Sequence, residues 1–269
     1  MLHNVIINYT RRILGINKKR LFPSKMRSDD VWLVSFPKSG NTWVRFILGN
    51  LMIDYCKKGT TMNFNTMQNI VPDIYLNKKI PLDIGFSPFP RIIKSHEKYT
   101  KKYKRSIYVI RDPKDAMVSY YHFMKDGHNK NIKNFSEFLK DEKLGIDAWC
   151  KNVKSWIGNA DVIIKFEDLK INPEKEIKKI LELLKIKIDE EKIRESVRKS
   201  SFDKMKELEN KDQSWKEKHN LNKNYSFMRK GTTEQGKKYF RDEDINYFNE
   251  IIAKNGIKGT LKKLEYEKN

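Results

Sequence analysis

Val31-Trp-Leu-Val-Ser-Phe36 runs directly into Pro37-Lys38-Ser39-Gly40, and Asn41-Thr42-Trp43 opens a stretch that continues to Ile53. The first six residues form a short apolar, β-prone run that ends abruptly, whereas Asn41 to Ile53 shows helical spacing. The reading is strand, turn, helix. At such a junction the free backbone N–H groups and the helix dipole favour an anion. Lys38 adds a positive charge at the mouth, Gly40 permits close backbone approach, and Ser39 and Thr42 offer hydroxyl donors. The loop suits phosphate or sulfate. It is not a Walker A loop, because there the Lys follows the second Gly, and nothing nearby resembles the acidic partner of a Mg²⁺ ion. Taken alone, it reads equally well as an ordinary strand-to-helix turn with a surface lysine.

The same pattern recurs outward from this point. Arg91–Lys94 and Ser106–Ile110 read as buried strands, with a helix from Asp115 to Met124 after Arg111-Asp-Pro113. Val162–Phe166 is another strand, followed by Glu167-Asp168 and a strongly periodic helix from Pro173 to Leu184. Strands alternating with helices predict an α/β fold with a central parallel sheet, helices on both faces and a P-loop-like anion loop. Residues 126–134 and 209–224 are Asn/Lys-rich and read as loops; a final amphipathic helix is expected near 242–255.

At 269 residues, 38% hydrophobic and 12% aromatic, the chain can bury a sizeable core. A single domain over residues 1–269 is expected, with residues 1–25 as a lead-in segment, since no Pro/Gly/Ser linker divides it. Two isolated cysteines, Cys56 and Cys150, exclude a disulfide scaffold and point to a reducing, cytoplasmic setting. The N-terminal apolar run precedes Arg11-Arg12, the reverse of a signal peptide, and no stretch approaches the ~18 apolar residues of a membrane span. The formal net charge is +21, from 56 basic and 35 acidic residues. Such a surplus raises the prior for polyanionic partners, but the lysines are spread along the chain and no nucleic-acid motif accompanies them. The expectation is a solvated basic surface with no specific nucleic-acid partner.

Tyr108-Val-Ile-Arg111-Asp-Pro-Lys-Asp115-Ala-Met-Val-Ser119-Tyr-Tyr-His-Phe123 again places an arginine at a strand end, with Ser119 about two helical turns beyond. A guanidinium there grips a phosphate bidentately while the hydroxyl closes the other side. With this second element the chain resembles the sulfotransferases that use 3′-phosphoadenosine 5′-phosphosulfate (PAPS). The first loop is similar to that family's PKSGTTW element, which holds the 5′-phosphosulfate, and the second to its RNPKDxxVSYYHF element, which holds the 3′-phosphate. Lys94-Ser-His96 resembles the K-T-H strand end, Phe166-Glu-Asp168 lies in a segment similar to F-Y-E-D-M, and Phe227-Met-Arg229-Lys230-Gly231 resembles F-x-R-K-G.

What the resemblance implies is transfer of a sulfuryl group from PAPS to a hydroxyl or amine of a small-molecule acceptor, without a metal and with release of PAP. Lys38 would stabilise charge on the departing bridging oxygen; Ser39, Gly40, Asn41 and Thr42 share its loop. Arg111 and Ser119 would bind the 3′-phosphate with Arg229, Lys230 and the Gly231 backbone. Trp43 and Phe166 would pack about the adenine, and Phe227 belongs to the same closing loop. Ser200, Ser201 and Phe202 resemble the family's T-S-F approach to the nucleotide. His96 would be the general base, with Lys94 stabilising the transferring group or holding His96 neutral. Lys230 to Lys238 departs from the family's KGxxGDWK, delaying the second glycine to Gly236 and lacking the Trp, so Gly236 receives no role. Glu167 and Asp168 read as capping and hydrogen-bonding groups for the following helix, and His3, His122 and His128 as surface or core histidines. Two other classes stay open: a P-loop nucleotide-dependent phosphotransferase and a nonenzymatic polyanion-binding protein. A homodimer is one oligomeric state the sequence leaves open, and acceptor identity is not legible, although Phe64, Met67 and Phe86 in residues 54–90 suit an aromatic cover.

Overall fold

β1 (Val31–Ser35) is buried at every position, as the unbroken apolar run requires. It turns at Phe36–Gly40 into α1 (Asn41–Tyr55), and a short α2 (Met67–Ile70) follows. β2 (Ile92–Ser95) and β3 (Ser106–Ile110) are likewise buried throughout, and β4 (Val162–Lys165) is half-buried. In this computed structural model, which describes residues 22–23, 25–76 and 80–266, the strands form an all-parallel sheet in the order β2-β1-β3-β4. The lead-in segment proposed for residues 1–25 lies almost entirely outside the described residues, as does His3.

The strand order positions the site. Chain connections leave β1 toward β2 on one side and continue to β3 on the other, with Leu33 opposite both Lys94 and Ile107. The order therefore reverses at β1, and the carboxyl ends of β1, β2 and β3 open on one crevice, where open α/β sheets bind ligands. This topology brings the loops after β1 and β3 and the Lys-Ser-His end of β2 to one edge of the sheet.

Helix ends differ from the sequence expectation where caps override periodicity. α3 (Pro113–His122) starts before Asp115 because the Asp112 carboxylate accepts from the N–H groups of Lys114 (2.8 Å) and Asp115 (3.2 Å), with Pro113 at the first helical position. It continues as a π-helical turn, Phe123–Gly127. α4 (Phe135–Lys140) and α5 (Ile146–Trp156) follow, the latter burying Trp149 and Trp156 completely. β4 stops at Lys165, and Phe166 instead begins α6 (Phe166–Ile171). Asn172, not Glu167 or Asp168, caps α7 (Pro173–Leu184), accepting from Lys175 N at 3.0 Å.

The segment 209–224, read from its polarity as a loop, is helical over 209–211 and 214–218. α8 (Glu190–Lys199) leads to α9 (Phe202–Lys211) and α10 (Ser214–Lys218). Trp215 explains the difference: it is 2% exposed, stacked on Phe64 at 4.5 Å, so tertiary burial imposes order on a lysine-rich sequence. α11 (Gly236–Tyr239), α12 (Asp242–Asn255) and α13 (Lys258–Lys263) complete the described chain. Among the described residues no helix is long and apolar enough to cross a membrane.

Candidate active site

Lys38 adopts φ 66° and Gly40 φ 103°, both left-handed, so the β1–α1 loop is tightly curled. A Cβ on Gly40 would lie 2.6 Å from the Phe166 ring, and only glycine allows that approach. The Lys38 ammonium sits 3.8 Å from the centroid of Phe227 and 4.6 Å from that of Phe123. Burial, reinforced by the charges of Arg111 and Arg229, pushes its pKa down to about 7. A group so poised gains strongly from an arriving anion.

Arg111 leaves β3 beside this loop. Its Nη1 donates to the Lys38 carbonyl at 3.3 Å and its Nη2 to the Thr232 carbonyl at 2.9 Å, and the guanidinium lies 4.4 Å from the Phe166 ring centroid. Burial holds it below the usual arginine value, although Asp115 at 3.7 Å opposes that shift. Arg111 Nε and Ser39 Oγ are buried donors with no partner among the described residues. Buried donors of this kind are costly unless a ligand meets them, and they fit an anionic one.

One pocket is lined by Lys38, Gly40, Asn41, Thr42, Trp43, Arg111 and Ser119 from the sheet side. Phe166, Phe202, Phe227, Arg229, Lys230 and Gly231 line it from the later elements. Trp43 and Phe166 meet edge to face at 6.0 Å. Gly231 packs so closely on Phe202 that a Cβ would come within 2.5 Å of its ring. Asn41 also braces the loop, its Nδ2 donating to the Leu33 carbonyl and Ser35 Oγ, each at 3.3 Å. Ser200 is not brought to this pocket. It is fully buried, accepts from Asn50 at 2.9 Å and donates to the Ser196 carbonyl at 2.8 Å, tying α8 to α1.

His96 follows β2 and lines the same pocket. Its Nδ1 lies 2.7 Å from the Ser35 carbonyl, which can only accept; Nδ1 therefore carries the proton and Nε2 is left as a base. Burial first, then the charge of Lys94, pushes its pKa down to about 3, so the ring is neutral near pH 7. Lys94 itself is 5% exposed and donates to Asp73 at 2.8 Å.

Several lining residues had no sequence signal. Asp73, alone in the apolar run Ile70–Tyr75, and His219, in a lysine- and asparagine-rich stretch, belong to no motif, and burial pushes His219 down to about 4. Arg45, 2% exposed, shares a helix with Asn41 one turn earlier, a spacing from which it was findable. Glu167, read as a capping group, instead accepts from Asp112 N at 3.0 Å and Tyr266 Oη at 2.7 Å, fixing the turn after Arg111. His122 bridges Asp126 and Tyr239, at 2.7 and 2.6 Å. Gly236 docks the atypical loop on α3, its N–H donating to Asp115 at 3.0 Å.

The chain is 32% identical over 257 residues to sulfotransferase 1 family member D1 of Mus musculus, covering 88% of this chain and 86% of the relative. It is 29% identical to sulfotransferase 1C2 of Homo sapiens, covering 85% and 83% respectively. The fold is similar to that of mouse sulfotransferase SULT7A1 complexed with PAP (TM-score 0.65, 21% identity, covering 96% of this chain and 92% of that one). It is also similar to retinol dehydratase in a complex with retinol and PAP (TM-score 0.67, 18% identity, covering 93% and 86%). The sulfotransferase domain model matches residues 28–264, and the chain belongs to the sulfotransferase domain family.

Proposed function

We propose that this sulfotransferase takes PAPS as donor and transfers its sulfuryl group in line to a hydroxyl or amine of a small acceptor. The observation that carries the reading is the contact of Arg111 Nη1 with the Lys38 carbonyl at 3.3 Å, which joins the two anion loops, with His96 lining the same pocket. Arg111, Ser119, Arg229, Lys230 and the Gly231 backbone hold the 3′-phosphate, while Trp43 and Phe166 flank the adenine. Lys38 meets the phosphosulfate bridge. The acceptor lies toward Phe64, Met67 and His219. As its oxygen attacks sulfur, the bond from sulfur to the bridging oxygen breaks; the acceptor proton passes to His96 Nε2, and PAP leaves with its new negative charge against Lys38. Lys94, held by Asp73, keeps positive potential at the transferring group and keeps His96 neutral.

The cationic side chains meet the donor's charge, so the reaction proceeds without a divalent metal. The chain acts as a single sulfotransferase domain, and the cytoplasmic location rests on cysteine usage, Cys56 and Cys150 both being free. A thermal-shift comparison of PAP, ATP–Mg²⁺ and an oligonucleotide tests the reading. The largest stabilisation is expected from PAP with EDTA present; a larger shift with ATP–Mg²⁺, or with the oligonucleotide, contradicts it.

A further inference from the structure

Glu209, near the end of α9, is 1% exposed, an unusual place for a carboxylate. Its two oxygens accept from consecutive backbone N–H groups, Oε1 from Phe227 at 2.6 Å and Oε2 from Met228 at 2.9 Å. Lys216 of α10 is 3% exposed, with its Nζ 3.5 Å from Glu209. That ammonium also donates to the carbonyls of Tyr225 (2.7 Å) and Lys223 (3.1 Å). Lys206 adds a bond to the Met228 carbonyl at 3.1 Å and another to Ser226. Residues 223–228 are thus suspended by their backbone from side chains of α9 and α10.

The residues that follow are Arg229, Lys230 and Gly231, and the Phe227 ring covers the Lys38 ammonium. Trp215, adjacent to Lys216, packs on Phe227 at 5.6 Å and on Phe64 at 4.5 Å. A buried ion pair is seldom worth more to stability than apolar residues of the same volume, but its directional bonds specify one backbone placement.

We propose that Glu209, paired with Lys216, is a positioning residue that fixes the Phe227–Gly231 segment against the nucleotide end of the pocket. Its effect on PAP passes through the Phe227 and Met228 amides. The proposal rests on the reading of this pocket as the PAPS site.

The test uses the full chain, PAP as ligand, and two variants. Glu209→Gln preserves volume but removes the charge and turns an amide donor toward one of the N–H groups. PAP affinity by calorimetry is expected to fall about tenfold, the effect of losing one charged hydrogen bond. Amide hydrogen exchange in residues 225–231 is expected to accelerate while β1 and β3 stay protected. A lowered melting temperature with PAP affinity and local exchange unchanged overturns the proposal and leaves only a structural role. If Glu209→Gln does not fold, Lys206→Ala decides, its side chain being 33% exposed. A roughly threefold loss of PAP affinity supports the brace, and unchanged affinity overturns it. A parent chain that does not bind PAP removes the PAPS reading itself, which separates that failure from failure of the brace.

Discussion

Lys38 and Arg111 touch one another through a carbonyl yet answer to different charges. In the proposed reaction Lys38 would face charge that develops as the bridging oxygen departs, and Arg111 a phosphate whose charge stays constant. Lys38→Ala is therefore expected to lower kcat by roughly 10²-fold or more, the scale of losing one transition-state donor. Arg111→Ala is expected chiefly to raise the KM for PAPS. With its pKa at about 7, Lys38 loses its proton in the free protein as pH rises. In consequence kcat/KM for PAPS should decline above about pH 7 in the parent, and that decline should vanish in Lys38→Ala. Normal PAP binding by Arg111→Ala in calorimetry contradicts the assignment. At His96 the Ser35 carbonyl fixes the tautomer, so His96→Asn should retain PAP affinity while losing about 10²-fold in kcat. Near-normal turnover means that another group takes the proton or that the acceptor needs no base. That Lys38, Thr42, Trp43, Arg111 and Phe166 line one pocket was legible because each belongs to a short motif after a strand. His219 and Asp73 were not, because their place depends on distant segments folding over the pocket. Ser200 shows the converse error, a motif-like residue spent on packing α8 against α1.

Elements were legible where burial and sequence pattern agree. The apolar runs of β1, β2 and β3 and the periodicity of α7 gave their existence, and the abrupt ends of β1 and β3 gave the two loops that line the pocket. Boundaries moved by a few residues wherever a cap intervened, as at Asp112 and Asn172. The loop reading of 209–224 failed over the end of α9 and over α10 because the lysines and glutamates there mask what is buried: Glu209, Trp215 and Lys216. A polar pair cancelling inside the protein has no hydropathy signature, so composition reads it as solvated. The delayed second glycine at 236 had no family counterpart to interpret it. Its role follows from contact alone: a Cβ there would lie 2.5 Å from that of Lys114, and its N–H bonds Asp115 on the helix that also carries Ser119.

At the scale of the whole molecule, acid should be the chain's weakness. Burial holds His96 at about 3, and His128 and His219 at about 4, far below the value near 6.5 at which they titrate when unfolded. Between those values the unfolded chain binds more protons, so stability present above about pH 6.5 is lost as pH falls toward 4. Each histidine contributes up to about 1.4 kcal/mol per pH unit in that window. Asp112, raised by burial to about 6, acts in the opposite sense and offsets part of the loss. The melting temperature is expected to drop between about pH 7 and 5, less steeply in His219→Gln; a flat profile in the parent contradicts the neutral, half-buried histidines. Strand order, in turn, accounts for the pocket: with β1 between β2 and β3, three strand ends deliver a lysine loop, an arginine and a histidine to one crevice. The most direct measurement is transfer of radiolabelled sulfur from PAPS to a panel of phenols, alcohols and amines, in EDTA, with PAP release followed in parallel. A labelled acceptor formed in equal amount with PAP is expected, with labelling sharply reduced in Lys38→Ala and His96→Asn. No labelled acceptor in EDTA, with labelling restored by Mg²⁺ or replaced by phosphoryl transfer from ATP–Mg²⁺, would contradict it.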